Sequence, residues 1–274
     1  MVKSKIETKR KFVATRSGRI HIATAGDGYP VLLLHQTPRS WDEFRDVLPL
    51  LGRTNFAIAM DTLGFGDSEA LSTGSASIEA WADAAHQLLD TLSIERAAVV
   101  GHHTGAAIAI EMAASRPARV SALVLSASPY IDAEQRAGFE GKRVIDQVDR
   151  KFDGSHLIEL WNGRKPRYPQ GDISLLERFM IDALKAGERA AEGHRVVRRY
   201  VMETRLPRIT CPTLILAPTA DERAYPNCHR AAKAIRGSQI VDIDGGMLPL
   251  PDQMPELFAQ TVSEFLARTL KTTD

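Results

Sequence analysis

Short apolar runs recur along the 274-residue chain, separated by segments of helical period. The runs at 31–34, 56–60, 97–101, 120–126, 213–217 and 239–243 read as strands, and the segments at 40–52, 77–92, 104–115, 225–235 and 253–270 as helices. Upstream, Val13–Ser17 and Ile20–Ala25 read as two strands joined through Ser17-Gly18, and Tyr29-Pro30 opens the first buried run. Strands that are apolar without alternation are covered on both faces. Their alternation with helices predicts an α/β fold, a mostly parallel sheet with helices on both faces. The pattern breaks at Pro129. Residues 131–204 carry four helix-like segments, are dense in Arg, Lys, Glu and Asp, and contain no β-branched run long enough for a buried strand. The chain is therefore expected to divide into a core, 1–130 and 205–274, and an inserted helical lid, or cap, of residues 131–204.

Composition narrows the function classes. With 35 basic and 34 acidic side chains the formal charge is +1, so bulk charge points to neither a nucleic-acid nor a membrane surface. The basic opening Lys3, Lys5, Lys9, Arg10 and Lys11 reads as a solvated arm. Cys211 and Cys228 have no metal-ligand spacing and make a poor disulfide framework, which fits a reducing compartment. The N-terminus lacks the apolar region of a signal peptide, and no apolar run reaches the roughly 18 residues of a membrane span. These features predict a soluble cytoplasmic protein. No cofactor is expected, and the expected partner is a small-molecule substrate. A second copy of the chain, as a homodimer, is the macromolecular partner left open.

Residues 97–116 carry the most specific signal. Val99-Val100 runs into Gly101-His-His-Thr-Gly105 and then an alanine-rich segment, so the chain turns sharply from strand to helix with His103 at the apex. The flanking glycines let strand, turn and helix approach without a Cβ clash, and the apex side chain points at the positive end of the following helix. Serine, cysteine or aspartate at this apex would be a ready nucleophile; histidine is not.

Taken with further motifs in the same order, this chain resembles the α/β-hydrolase superfamily, in its dehalogenase and epoxide-hydrolase branch. His35-Gln-Thr-Pro38, followed by Trp41 and Phe44, is similar to that branch's His-Gly-x-Pro segment, and Asp61-Thr-Leu-Gly-Phe-Gly-Asp-Ser68 to its Asp-x-x-Gly-x-Gly-x-Ser turn. Leu214 to Asp221 resembles the strand and loop that present the triad's acid. Asp244-Gly-Gly-Met247 stands where the superfamily writes Gly-Gly-His or Gly-x-His. The resemblance implies the α/β-hydrolase fold and a nucleophile, acid and base at 103, 221 and 247. Only Asp221 matches. A thioether is a very weak acceptor, so Met247 cannot act as the base, and without a hydroxyl at 103 the acyl-serine route is closed.

The paired substitution suggests relocation. The longer side chain of His103 can extend into the space of the missing imidazole, lined by Met247, and meet Asp221 as a His/Asp dyad in which His103 is the general base. By resemblance, the backbone amides of Thr37 and Thr104 form the oxyanion site, and Gln36, in place of the family glycine, either crowds the pocket or adds a donor. His35, Gln36, Trp41 and Met247 are expected to line the pocket, with His35 and His102 structural. No metal is expected, because His35, His102 and His103 have no metal-ligand spacing. His86, His156, His194 and His229 read as solvated, and Trp161, Arg164 and Arg167 as ordinary lid surface. The predicted activity is hydrolysis of a small, largely apolar carbonyl compound: an ester, a lactone or an activated C–C bond. Lyase-type proton abstraction and a non-catalytic binding protein are the alternatives.

Overall fold

The computed structural model describes residues 6–72 and 74–270. Eight strands form one sheet: β1 (Lys9–Thr15), β2 (Gly18–Ala25), β3 (Tyr29–Leu34), β4 (Asn55–Met60), β5 (Ala97–His102), β6 (Val120–Ser126), β7 (Thr213–Pro218) and β8 (Gln239–Ile243). Their order is β1-β2-β4-β3-β5-β6-β7-β8. β1 and β2 join the edge antiparallel, and every pairing from β4 to β8 is parallel. The α/β fold with a mostly parallel sheet is thus the one the apolar runs predict. The basic opening differs from its expectation: Lys9, Arg10 and Lys11 are exposed but begin β1, paired with Thr24, Ala23 and Ile22, while Lys3 and Lys5 lie outside the described residues.

The helices are α1 (Leu48–Leu51), α2 (Ile78–Thr91), α3 (Thr104–Ser115), α4 (Ala133–Gly138), α5 (Ser155–Arg164), α6 (Ile173–Ala186), α7 (Glu192–Arg199), α8 (Ala224–Ala234), α9 (Leu250–Gln253) and α10 (Pro255–Leu270). The helix expected over 40–52 is instead a 3-10 turn at Trp41–Phe44 followed by the single turn α1. Ser40 caps the first turn by accepting from the Asp42 amide, and Pro49 falls in the opening turn of α1, so the segment restarts rather than continues.

Alternation within the strands divides the core. Leu32 and Leu34 pack with Ile58, Met60 and Val99 against α2 and α3, whereas Val31 and Leu33 pack with Ala57, Ala59 and Val100 against α1 and α10. Each fully buried Leu or Phe contributes roughly 1.5–3 kcal/mol relative to an exposed one. Four helices, α4 to α7, fill the interval between β6 and β7 and hold a small apolar cluster of their own around Leu160, Tyr168, Leu176 and Phe179. A buried ion network ties this segment to the sheet. Arg39, after β3, donates to Asp182 on α6 (2.8 Å) and Asp252 on α9 (2.5 Å), and Arg178 of α6 donates to Asp42 (2.7 Å). Both cysteines are free, and Cys228 is buried. Among the described residues, no helix is long and apolar enough to cross a membrane.

Candidate active site

The apex of the β5–α3 turn is built by sterics. A Cβ at Gly101 would fall 2.2 Å from the Gly105 carbonyl oxygen, and one at Gly105 only 1.9 Å from that of Leu34, so both positions require glycine. His103 between them adopts φ 47° and ψ −111°, a costly conformation for a residue with a Cβ, held because its amide donates to the Ser126 carbonyl (3.0 Å) and its carbonyl accepts from the Ala106 amide (2.9 Å). The turn therefore lifts the His103 ring above the end of the sheet.

That ring meets the acid. His103 Nε2 lies 3.0 Å from Asp221 Oδ2, with the two side chains 21% and 5% exposed. The oxygen sits off the in-line direction of a ring N–H, so the contact is close without being an aligned hydrogen bond. Asp221 is fixed from the other side, where Oδ1 accepts from the amides of Ala224 (3.0 Å) and Arg223 (3.2 Å). Burial opposes its ionisation, but the His103 contact and these two amides outweigh burial and hold the carboxyl below the usual carboxylate range.

Neighbouring histidines have structural partners. His102 is fully buried, its Nε2 donating to the Leu248 carbonyl (2.8 Å) and its Nδ1 accepting from the Ser126 hydroxyl (2.9 Å). Burial, with the ring of His103 beside it, pushes its pKa well below the ordinary value. His35 Nδ1 donates to the Gln36 carbonyl (2.7 Å), and its Nε2 accepts from the Thr62 amide (2.9 Å). Gln36 turns away as a donor: both its backbone and side-chain N–H groups reach Glu43, at 2.8 and 2.7 Å. Among the described residues, no hydrogen bond engages the Thr37 backbone N–H. The N–H of Thr104, first residue of α3, precedes the helix's own bonding. The two threonine hydroxyls bond each other at 2.9 Å.

A cavity of about 200 Å³ opens over these groups, lined by Gln36, Thr37, His103, Thr104 and Asp221 from the sheet side. Three residues expected on its wall stand elsewhere. His35 is turned into the bonds just given. Trp41 packs under the Arg10 guanidinium, 5.0 Å from its ring centre. Met247 is replaced at the wall by Leu248, because Met247 N donates to Gln253 Oε1 (2.7 Å) while the Leu248 carbonyl receives His102, and these two bonds set the turn.

The opposite wall comes from α4 to α7 and the loops between them, and here the sequence expectations change. Arg164 and Arg167 line the cavity instead of forming outer surface. Arg164 is 1% exposed, paired through Nε and Nη2 with Asp146, which burial opposes but Arg164 holds below the usual carboxylate range. His194 is not solvated. It lines the cavity with its Nε2 2.9 Å from Asp146 Oδ2, and burial lowers its pKa. Backbone packing brings it there: a Cβ at Gly193 would fall 1.6 Å from Thr37 Oγ1, so α7 rests directly on the Thr37 loop. His86 is also buried, and burial lowers its pKa to about 4. Arg198, Arg223 and Leu248 also line the cavity; a glycine inside the polar segment 192–199 was the available hint of close packing there.

A family model described as alpha/beta hydrolase fold matches residues 29–171, more than half of the chain. The chain belongs to that family. A 2-hydroxymuconate semialdehyde hydrolase of Pseudomonas sp. (strain CF600) is 36% identical over 158 residues, covering 52% of this chain and 56% of its own length. A soluble epoxide hydrolase of Corynebacterium sp. (strain C12) is 40% identical over 95 residues, 35% of this chain and 33% of its own. The chain thus spans about half and about a third of the length of these two curated relatives. The alpha/beta hydrolase fold extends further in space. The crystal structure of the enol-lactonase from Burkholderia xenovorans LB400 superposes with a TM-score of 0.78 at 20% identity, covering 94% of this chain and 100% of that one.

Proposed function

We propose that this alpha/beta hydrolase family member hydrolyses a small carbonyl substrate, an ester, lactone or activated C–C bond, by direct attack of water, with His103 as general base and Asp221 as its charge partner. The 3.0 Å approach of His103 Nε2 to Asp221 Oδ2 carries this reading. A carboxylate beside Nε2 favours the tautomer with hydrogen on that nitrogen, which leaves the Nδ1 lone pair to act in the cavity that the ring lines. Nδ1 takes a proton from water, and the hydroxide adds to the carbonyl carbon. The oxyanion that forms is received by the Thr37 and Thr104 amides. As the tetrahedral species collapses, the proton on Nδ1 passes to the leaving group. In this reading 131–204 is the lid and 1–130 with 205–274 the core. Relatives that are hydrolases support the reaction class.

The test is a panel of p-nitrophenyl esters and lactones with the parent and His103→Ala. The expected result is turnover by the parent, loss of roughly 100-fold or more in His103→Ala, and no burst of nitrophenol. A burst matching the enzyme concentration, or a His103→Ala rate equal to the parent's, overturns the proposal.

A further inference from the structure

The expectation of a largely apolar ligand does not fit the charge on the cavity wall. Arg164 is matched by Asp146, and Asp221 lies against His103 while also attracting Arg167. Arg167, Arg198 and Arg223 line the same cavity, and among the described residues none of the three forms an ion pair with a carboxylate. Arg167 donates to the Gly163 carbonyl (2.5 Å) and Arg198 to the carbonyls of Lys142 (3.1 Å) and Arg143 (3.4 Å), neutral acceptors that orient the guanidiniums without cancelling their charge. They also repel one another. Burial lowers the pKa of both Arg167 and Arg198, and the charge of Arg223 lowers each further, while Asp221 and Asp146 partly offset this at Arg167. Arg223 is exposed, yet four arginines, Arg164 included, share this cavity with the carboxylate of Asp221 and the nearby one of Asp146, and the excess of positive charge favours an anion. The same wall carries apolar side chains, Ile131, Phe139, Ile145, Val197 and Leu248, beside the polar Asn227 and His194. A second depression, which shares Phe139 and Arg198 with the cavity, adds Lys142, Arg195 and Arg199 against one acidic residue, Glu140, so its lining is predominantly positive too.

We infer that the substrate of this site carries a carboxylate, bound by Arg167, Arg198 and Arg223, joined by a short apolar segment to the carbonyl that reacts at His103. This deepens the proposed hydrolase reading and rests on it for the reacting carbonyl, whereas the carboxylate site itself rests on the arginines alone. Planar guanidiniums match carboxylate geometry, and a charge-assisted contact of this kind changes affinity by about tenfold or more.

The experiment compares p-nitrophenyl hydrogen glutarate with its neutral isostere, in which an isopropyl group replaces the free carboxylate. The expected kcat/KM ratio favours the anionic ester by about tenfold or more. Arg167→Gln and Arg223→Gln each reduce that ratio about tenfold, chiefly through KM, while the lysine variants restore part of it. Thermal-shift measurements with glutarate and with inorganic phosphate complete the design. Glutarate is expected to stabilise the parent more than phosphate does, and the Arg167→Gln/Arg223→Gln double variant is expected to lose the effect. A ratio near one, a ratio unchanged in variants that melt like the parent, or phosphate stabilising as well as glutarate overturns the carboxylate site. If glutarate stabilises through the arginines while neither ester turns over, the hydrolase reading falls and the carboxylate site stands. Turnover of the neutral ester with no glutarate effect removes the carboxylate site and leaves the hydrolase reading in place.

Discussion

Asp221→Asn isolates the charge that the proposed mechanism needs. The replacement is isosteric, and its side-chain oxygen can still accept from the Ala224 and Arg223 amides that hold Asp221 Oδ1 at 3.0 and 3.2 Å. Two things are lost. Opposite unit charges at the observed 3.0 Å attract by roughly 5.5 kcal/mol at an effective dielectric of about 20. Partial exposure of His103 and the off-line approach reduce this to roughly 2–4 kcal/mol of stabilisation for the imidazolium that forms as water is deprotonated, or about 30-fold to 1,000-fold in kcat. In addition, an amide N–H₂ in place of Oδ2 favours Nε2 as acceptor and moves the ring hydrogen to Nδ1, the nitrogen proposed as base. The assay is steady-state hydrolysis at saturating substrate, with circular dichroism and a melting curve to establish folding. A folded Asp221→Asn protein with kcat within about threefold of the parent would refute the dyad.

Three further outcomes test the scaffold. Arg39→Met leaves Asp182 and Asp252 buried without their shared guanidinium and should cost roughly 3–5 kcal/mol in urea unfolding; a loss under about 1 kcal/mol would contradict the role given to this network. Gly105→Ala forces a Cβ to 1.9 Å from the Leu34 carbonyl oxygen, so little folded protein is expected, and a variant melting like the parent would contradict the steric account of the turn. Burial pushes the Glu43 carboxyl up to about 8 against the attraction of Arg39. Because the folded value lies above the ordinary carboxyl value, this contribution is complete in acid and is lost as pH rises through about 8. The unfolding free energy should therefore fall across that window, and Glu43→Gln should flatten the slope; an unchanged slope in that variant counts against a neutral Glu43.

What was legible in the sequence follows from how local each cause is. Gly101, His103 and Gly105 sit within one turn whose sterics depend on immediate neighbours, so the turn and its apex residue could be read directly. The strands from 31–34 to 213–217 were equally legible, because burial on both faces leaves continuous apolar runs. Placement of the far wall was not. Residues 192–199 have the polarity of a solvated helix, yet Gly193 packs on Thr37 and carries His194 to the cavity, a contact across more than 150 positions of sequence. The loop after β8 fails for a subtler reason. Gln253 and His102 fix its backbone from two directions, and that moves the wall position from Met247 to Leu248. Arg164 and Arg167 looked like surface because charge alone does not distinguish a solvated arginine from one paired with Asp146 over a cavity.

The sheet order explains why a histidine suits the apex. β5, which ends at the His103 turn, and β7, which leads to Asp221, are separated by one strand, β6. Adjacent strands lie about 4.8 Å apart, so the two chain positions are roughly 10 Å from each other across the sheet. A serine at the apex is too short to meet the acid, and an imidazole supplied from the loop after β8 would have to lie between them. Here the imidazole grows from the apex itself and spans the interval to Asp221 in one step. The loop after β8 is then released from supplying a base, which fits its use of Leu248 as an apolar wall and backbone acceptor for His102. The same exchange removes the hydroxyl nucleophile. If the proposed reaction holds, the attacking oxygen must come from water, no acyl-enzyme forms, and the cavity must hold the substrate and that water together through a single addition and collapse.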